Sequence, residues 1–139
     1  MAVKQTFIDT LFVVALINRR DTYNAQAVEL ASLYDGQPLL TTDAVLLEIG
    51  NALARAFKPE AAEVIESFLT SQDAQVVRLT PALFEKAFAL YQSRLDKEWG
   101  LVDCFSFIVM HEAGASDALT FDRHFAQAGL QALMRGIAL

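Results

Sequence analysis

The sequence predicts an α/β fold: a short central parallel sheet of four to five strands, flanked by helices in three layers. Two observations carry this. Short apolar runs of strand type alternate with longer segments of helical periodicity along the whole chain. Turn or capping residues also punctuate the junctions, and the three prolines, Pro38, Pro59 and Pro81, each stand where an element can begin.

Residues 3–8 read as a buried strand that runs out at Asp9. Residues 11–18 read as a short helix, broken by Arg19-Arg20-Asp21, and Thr22 is placed to cap a helix that reaches Tyr34 and stops at Asp35-Gly36. Pro38 to Thr41 is a brief strand. Thr42 caps a helix over residues 43–57, with Val45, Ile49, Ala52, Leu53 and Ala56 as its apolar stripe. Pro59 opens a helix to Thr70, residues 75–79 form a strand, and Thr80-Pro81 starts a helix reaching Arg94. Residues 101–112 are apolar on almost every side, which marks a central helix closing at Gly114. A strand over 117–121, a short helix over 123–128 and an edge strand over 130–134 complete the chain.

At 139 residues the chain is expected to form one domain spanning 1–139. A hydrophobic content of 54% is too high for a disordered segment, and no apolar run approaches the ~20 residues that span a bilayer. The N-terminus has no basic region followed by a long apolar stretch, so no secretory signal is expected. Cys104 stands alone, which excludes an internal disulfide and a thiolate cluster and makes a reducing cytoplasm the expected compartment. The net charge of −6 argues against a protein that coats nucleic acid. Any such contact is expected to be local or assisted by a second chain.

Four acids lie at the edges of apolar elements: Asp9, Glu48, Asp103 and Asp122. Each has an ordinary explanation by itself: a helix cap for Asp9 and Asp122, a solvated helix residue for Glu48, a favourable first-turn charge for Asp103. Their joint placement carries the argument, because in a parallel sheet the functional crevice lies beyond the carboxyl ends of the strands. Two like charges 4 Å apart repel by roughly 4 kcal/mol at an effective dielectric of about 20. A set of four must take up protons, splay apart or bind cations. All-oxygen donors suit hard ions such as Mg²⁺ or Mn²⁺, which can activate water against a phosphodiester without an enzyme nucleophile.

The runs Phe7-Ile8-Asp9-Thr10, Leu46-Leu47-Glu48-Ile49-Gly50-Asn51-Ala52, Trp99-Gly100-Leu101-Val102-Asp103-Cys104-Phe105-Ser106 and Leu119-Thr120-Phe121-Asp122-Arg123-His124-Phe125 together resemble the PIN-domain ribonucleases, and among them the VapC-type toxins of toxin–antitoxin pairs. They occur in the family's order across nearly the whole chain. The resemblance implies a PIN-like fold in which Asp9, Glu48, Asp103 and Asp122 hold Mg²⁺ or Mn²⁺. It makes Thr10, Ser106 and Thr120 supporting hydroxyls. It further implies a metal-dependent endoribonuclease acting on transfer or ribosomal RNA, restrained by a small antitoxin and dimeric. Arg123 and His124, adjoining Asp122, are the leading candidates for RNA contact.

Other residues have plainer explanations. Asp117 is the rival for the fourth acid, but it begins its strand, away from the crevice end. Asp43 is a helix-start residue, Cys104 a small core residue, His111 a satisfied core or surface histidine, and Trp99 a packing residue before its helix. A haloacid-dehalogenase-type phosphatase needs a second aspartate two residues after the first, where Leu11 stands. A PIN-like scaffold that binds RNA or protein without turnover is the remaining alternative.

Overall fold

The computed structural model describes residues 4–135. Five strands, β1 (Thr6–Ile8), β2 (Leu39–Thr42), β3 (Ala74–Val77), β4 (Asp117–Leu119) and β5 (Gln131–Ala132), form one sheet in the order β3-β2-β1-β4-β5. Every neighbouring pair is parallel. Helices α1 (Thr10–Ile17) and α2 (Asn24–Leu33) join β1 to β2, and α3 (Asp43–Ala52) and α4 (Lys58–Thr70) join β2 to β3. α5 (Pro81–Ser93) and α6 (Leu101–Ala113) lead to β4, and α7 (Arg123–Gln127) leads to β5. The helices pack in two groups: α1 against α2 and α3, with α3 against α4, and α5 against α6, with α6 against α7. The expected α/β architecture, a parallel sheet flanked by helices, is the one found.

β1 occupies the centre, with Thr6 opposite both Leu39 and Asp117. The chain moves outward from β1 to β2 and β3, then returns to the other side for β4. The point where the strand order reverses therefore lies between β1 and β4, where a ligand crevice is expected at the carboxyl ends.

Phe7, Ile8, Leu40, Ala118 and Leu119 are fully buried from the sheet. An aromatic series then carries the core out to the crevice. Phe7 packs on Phe125 of α7 at 6.0 Å between ring centroids, Phe125 meets Phe107 of α6 edge-on at 5.1 Å, and Phe107 meets Trp99 edge-on at 5.1 Å. Edge-to-face pairs contribute about 0.5–1.5 kcal/mol each beyond their buried area. The series fixes α6 and α7 against the end of β1.

Several boundaries differ from the sequence expectation. Thr22 does not cap α2, which begins at Asn24 without a side-chain cap. Instead Asp21 accepts the Tyr23 N–H at 2.8 Å, and the Asn24 amide donates to the Ala15 and Leu16 carbonyls at 2.8 and 3.2 Å. α3 stops at Ala52 rather than Phe57, and Ala52 and Ala56 are exposed, so its stripe closes at Leu53. Gly50 and Asn51 are weak helix formers, which accounts for the early end. The expected final strand shortens to Gln131–Ala132 and gives way to a 3₁₀ turn, where the Met134 N–H bonds the Thr120 carbonyl at 3.0 Å. Val3, expected to start the first strand, lies outside the described residues. The caps at Thr42 and Thr80 are present, accepting from the N–H of Val45 and Leu83. Gly114 ends α6 at φ 69°, a left-handed conformation that favours glycine.

Candidate active site

Asp9 follows β1 directly, and its N–H still bonds the Leu119 carbonyl of β4 at 3.4 Å. It occupies the N-cap position of α1, yet its side chain makes no capping bond. The carboxylate turns to Thr120 instead, whose hydroxyl donates to Oδ2 at 2.7 Å. The cap explanation for Asp9 therefore fails. Across the same crevice the Thr10 hydroxyl donates to Glu48 Oε1 at 2.7 Å, joining α1 to α3.

Asp103 lies in the first turn of α6, where its Oδ2 accepts the Gly100 N–H at 3.0 Å and stands 2.9 Å from His124 Nδ1. Asp122 does cap α7, accepting the His124 N–H at 2.9 Å, while its own N–H donates to the Thr120 hydroxyl at 3.0 Å. Thr120 is fully buried and so serves two acids at once.

Asp9, Glu48, Asp103 and Asp122 line one cleft of about 540 Å³, with Thr10, Leu11, Asn51 and Ala52. Asp117 lies at the opposite end of β4, 3.5 Å from Lys4 Nζ. Of the three hydroxyl residues named from the sequence, Thr10 and Thr120 hold acids of the cleft. The Ser106 hydroxyl instead bonds the Val102 carbonyl at 3.0 Å within its own helix. Arg123 is exposed, 3.7 Å from Glu98, whereas His124 is half-buried against Asp103. Asn51, outside the expected set, also lines the cleft; its place one turn after Glu48 on α3 is the sequence signal for it.

The remaining residues weighed from sequence fall in ordinary places. Trp99 is buried and donates to Gln127 at 3.0 Å, with the Arg94 guanidinium 4.9 Å from its ring centre. Asp43 accepts the Leu79 N–H, Cys104 is core, and His111 is exposed.

Burial pushes the Asp9 carboxyl up to about 7, the nearby Asp103 and Asp122 charges push the same way, and the bonds from Thr120 and the Thr10 N–H oppose them. Among the described residues, one oxygen each of Glu48, Asp103 and Asp122 has no protein hydrogen bond. A buried acid next to like charges, in a cleft lined by carboxylates that each keep an oxygen without a protein hydrogen bond, fits a hard divalent cation: the cation removes the repulsion that burial leaves uncompensated.

A PIN-domain family model matches residues 6–130. The chain belongs to the PIN-domain family. This PIN domain is 31% identical over 125 residues to the 23S rRNA-specific endonuclease VapC20 of Mycobacterium tuberculosis, in both strain CDC 1551 / Oshkosh and strain H37Rv, covering 88% of this chain and 93% of that protein. Its fold superposes on the crystal structure of M. tuberculosis VapC20, described as a sarcin-ricin loop cleaving toxin, with a TM-score of 0.80 and 28% identity over 91% of this chain and 96% of the other. The expected family and fold are both borne out.

Proposed function

We propose that this PIN domain is a metal-dependent endoribonuclease, the toxin of a type II toxin–antitoxin module, acting on ribosomal RNA in the cytoplasm. The observation that carries this reading is the gathering of four carboxylates in one cleft around the buried Asp9. Asp9, Glu48, Asp103 and Asp122 would hold Mg²⁺ or Mn²⁺, which when bound supplies an activated water and stabilisation of the departing oxygen.

The chain's own residues set the geometry. Thr120 and Thr10 each commit one oxygen of Asp9 and Glu48 to the protein, which leaves those carboxylates aimed by short hydrogen bonds. The exposed Arg123, 3.7 Å from Glu98, directly follows Asp122 in the chain, which makes it a candidate for phosphate contact. Support for a ribosomal substrate comes from the likeness to VapC20, which cleaves 23S rRNA by its name. An antitoxin or second copy would cover apolar surface on the early helices, such as the groove of about 760 Å³ that includes Leu16, Ile17 and Phe57.

Incubation of the purified protein with ribosomal RNA is expected to give Mg²⁺- or Mn²⁺-dependent cleavage that a chelator stops. Asp9→Asn and Asp103→Asn are expected to abolish it. Undiminished cleavage by the double variant would sink the reading, and tight RNA binding without turnover would revive the scaffold alternative.

A further inference from the structure

We propose that His124 is a positioning residue for Asp103, holding one carboxylate oxygen so that the other is presented to the cation. The inference rests on the metal-site reading given above. Asp103 Oδ2 faces His124 Nδ1 at 2.9 Å and the Gly100 N–H at 3.0 Å. Two donors on one oxygen leave Oδ1 without a protein hydrogen bond, and Asp103 lines the cleft. Facing a carboxylate oxygen, Nδ1 carries the ring proton, which sets the tautomer.

The histidine is itself held from two sides. Its N–H is bonded to Asp122 Oδ1 at 2.9 Å, and its side chain is only 19% exposed. Nδ1 also lies 3.5 Å from Asp122 Oδ1. One residue thus couples the acid at the start of α6 to the acid at the start of α7. These two acids come from separate elements, and α6 and α7 touch along a small surface, so a polar tie at their acid-bearing ends limits relative movement. Asp103, Asp122 and His124 offer ligand atoms within 4.8 Å of one another. Direct ligation by Nδ1 would require it to give up its 2.9 Å approach to Asp103 Oδ2. Partners that orient metal-ligating carboxylates typically change metal affinity or activity by roughly tenfold to hundredfold when removed.

The test measures Mn²⁺ affinity by calorimetry on the purified full chain, for wild type, His124→Ala, His124→Asn and His124→Gln. An asparagine amide nitrogen falls where Nδ1 lies, whereas a glutamine amide falls where Nε2 lies. Alanine and glutamine are expected to weaken Mn²⁺ binding roughly tenfold to hundredfold, and asparagine to restore most of it. Equal binding by wild type and alanine, or asparagine no better than glutamine, overturns the proposal. Thermal melting without metal provides the second readout: the asparagine and glutamine variants are expected to melt together while their affinities part. Affinities that merely track melting temperatures would make His124 a structural prop and overturn the proposal too. Should the alanine variant not fold, the asparagine–glutamine pair carries the same comparison. Wild type that binds no Mn²⁺, or Asp9→Asn that binds it as tightly, defeats the metal-site reading itself.

Discussion

The Thr120 hydroxyl donates to Asp9 Oδ2 at 2.7 Å across 111 residues of sequence, and both groups are buried. The bond closes the gap between the ends of β1 and β4, the two strands at the reversal point of the sheet. It also explains why Asp9 does not cap its own helix: the carboxylate is committed to the cleft.

Asp9 makes the metal-free fold sensitive to pH. In the unfolded chain its carboxyl ionises near 3.8, and in the fold near 7. The unfolded state therefore releases its proton first. The stabilisation is fully present below about pH 4, and up to about 4 kcal/mol of it is lost as the pH rises to about 7. Asp9→Asn removes this dependence. Chelator-treated wild type is expected to lose melting temperature relative to Asp9→Asn between pH 5 and pH 8. Added Mg²⁺ is expected to restore wild type at pH 8 and leave the variant unmoved. Parallel pH curves for the two proteins would contradict the prediction.

Thr120→Val keeps the shape of the residue but removes a donor to Asp9 and an acceptor for the Asp122 N–H. The lost acceptor strands a backbone donor, a loss of about 1–3 kcal/mol by urea unfolding. The lost donor drives the Asp9 carboxyl higher still, so the pH at which the metal-free fold loses melting temperature is expected to move upward. An unchanged pH dependence would show that the Thr120 bond does not hold the Asp9 charge.

Thr10→Val frees Glu48 Oε1 from its 2.7 Å bond at a partly buried position. The stability change is expected to stay near 1 kcal/mol. The larger effect is expected on Mn²⁺ affinity, by roughly tenfold or more. Calorimetric titration beside a urea melt separates the two.

Thr42→Ala supplies a contrasting control. Its hydroxyl caps α3 by accepting from Val45 N–H at 3.1 Å, and it is fully buried. Loss of the cap is expected to lower stability by about 1 kcal/mol. Metal affinity is expected to hold, since α3 carries Glu48 more than a turn from that end. A large fall in affinity would mean that α3 moves as a unit when its cap is lost.

Local chemistry made most elements legible. Thr42 and Thr80 were readable as caps because each precedes an apolar helical stripe, and Gly114 because only the left-handed conformation closes α6 there. Thr22 resembles a cap in sequence, but Asp21 forms a turn ahead of the helix, its carboxylate accepting the Tyr23 N–H and its carbonyl the Asn24 N–H. The end of α3 was misplaced because alanine repeats extended the helical pattern past Gly50 and Asn51. The last strand was overextended because apolar residues over 130–134 suit a strand or a 3₁₀ turn equally, and a bond from Met134 to the Thr120 carbonyl decides between them.

What the sequence determined by itself is the alternation of strand and helix, and with it the parallel sheet whose carboxyl ends receive Asp9 and Asp122. The identity of the four acids followed from the same order and their resemblance to one family. What only the tertiary structure decided is which oxygen of each acid is engaged. Sequence periodicity places a residue on a face, but hydrogen-bond direction depends on contacts made across long separations: Thr120 to Asp9, Thr10 to Glu48, His124 to Asp103. The packing of Phe107 on Phe125, and of Phe125 on Phe7, seats α6 and α7 beside β1 and helps bring His124 within reach of Asp103.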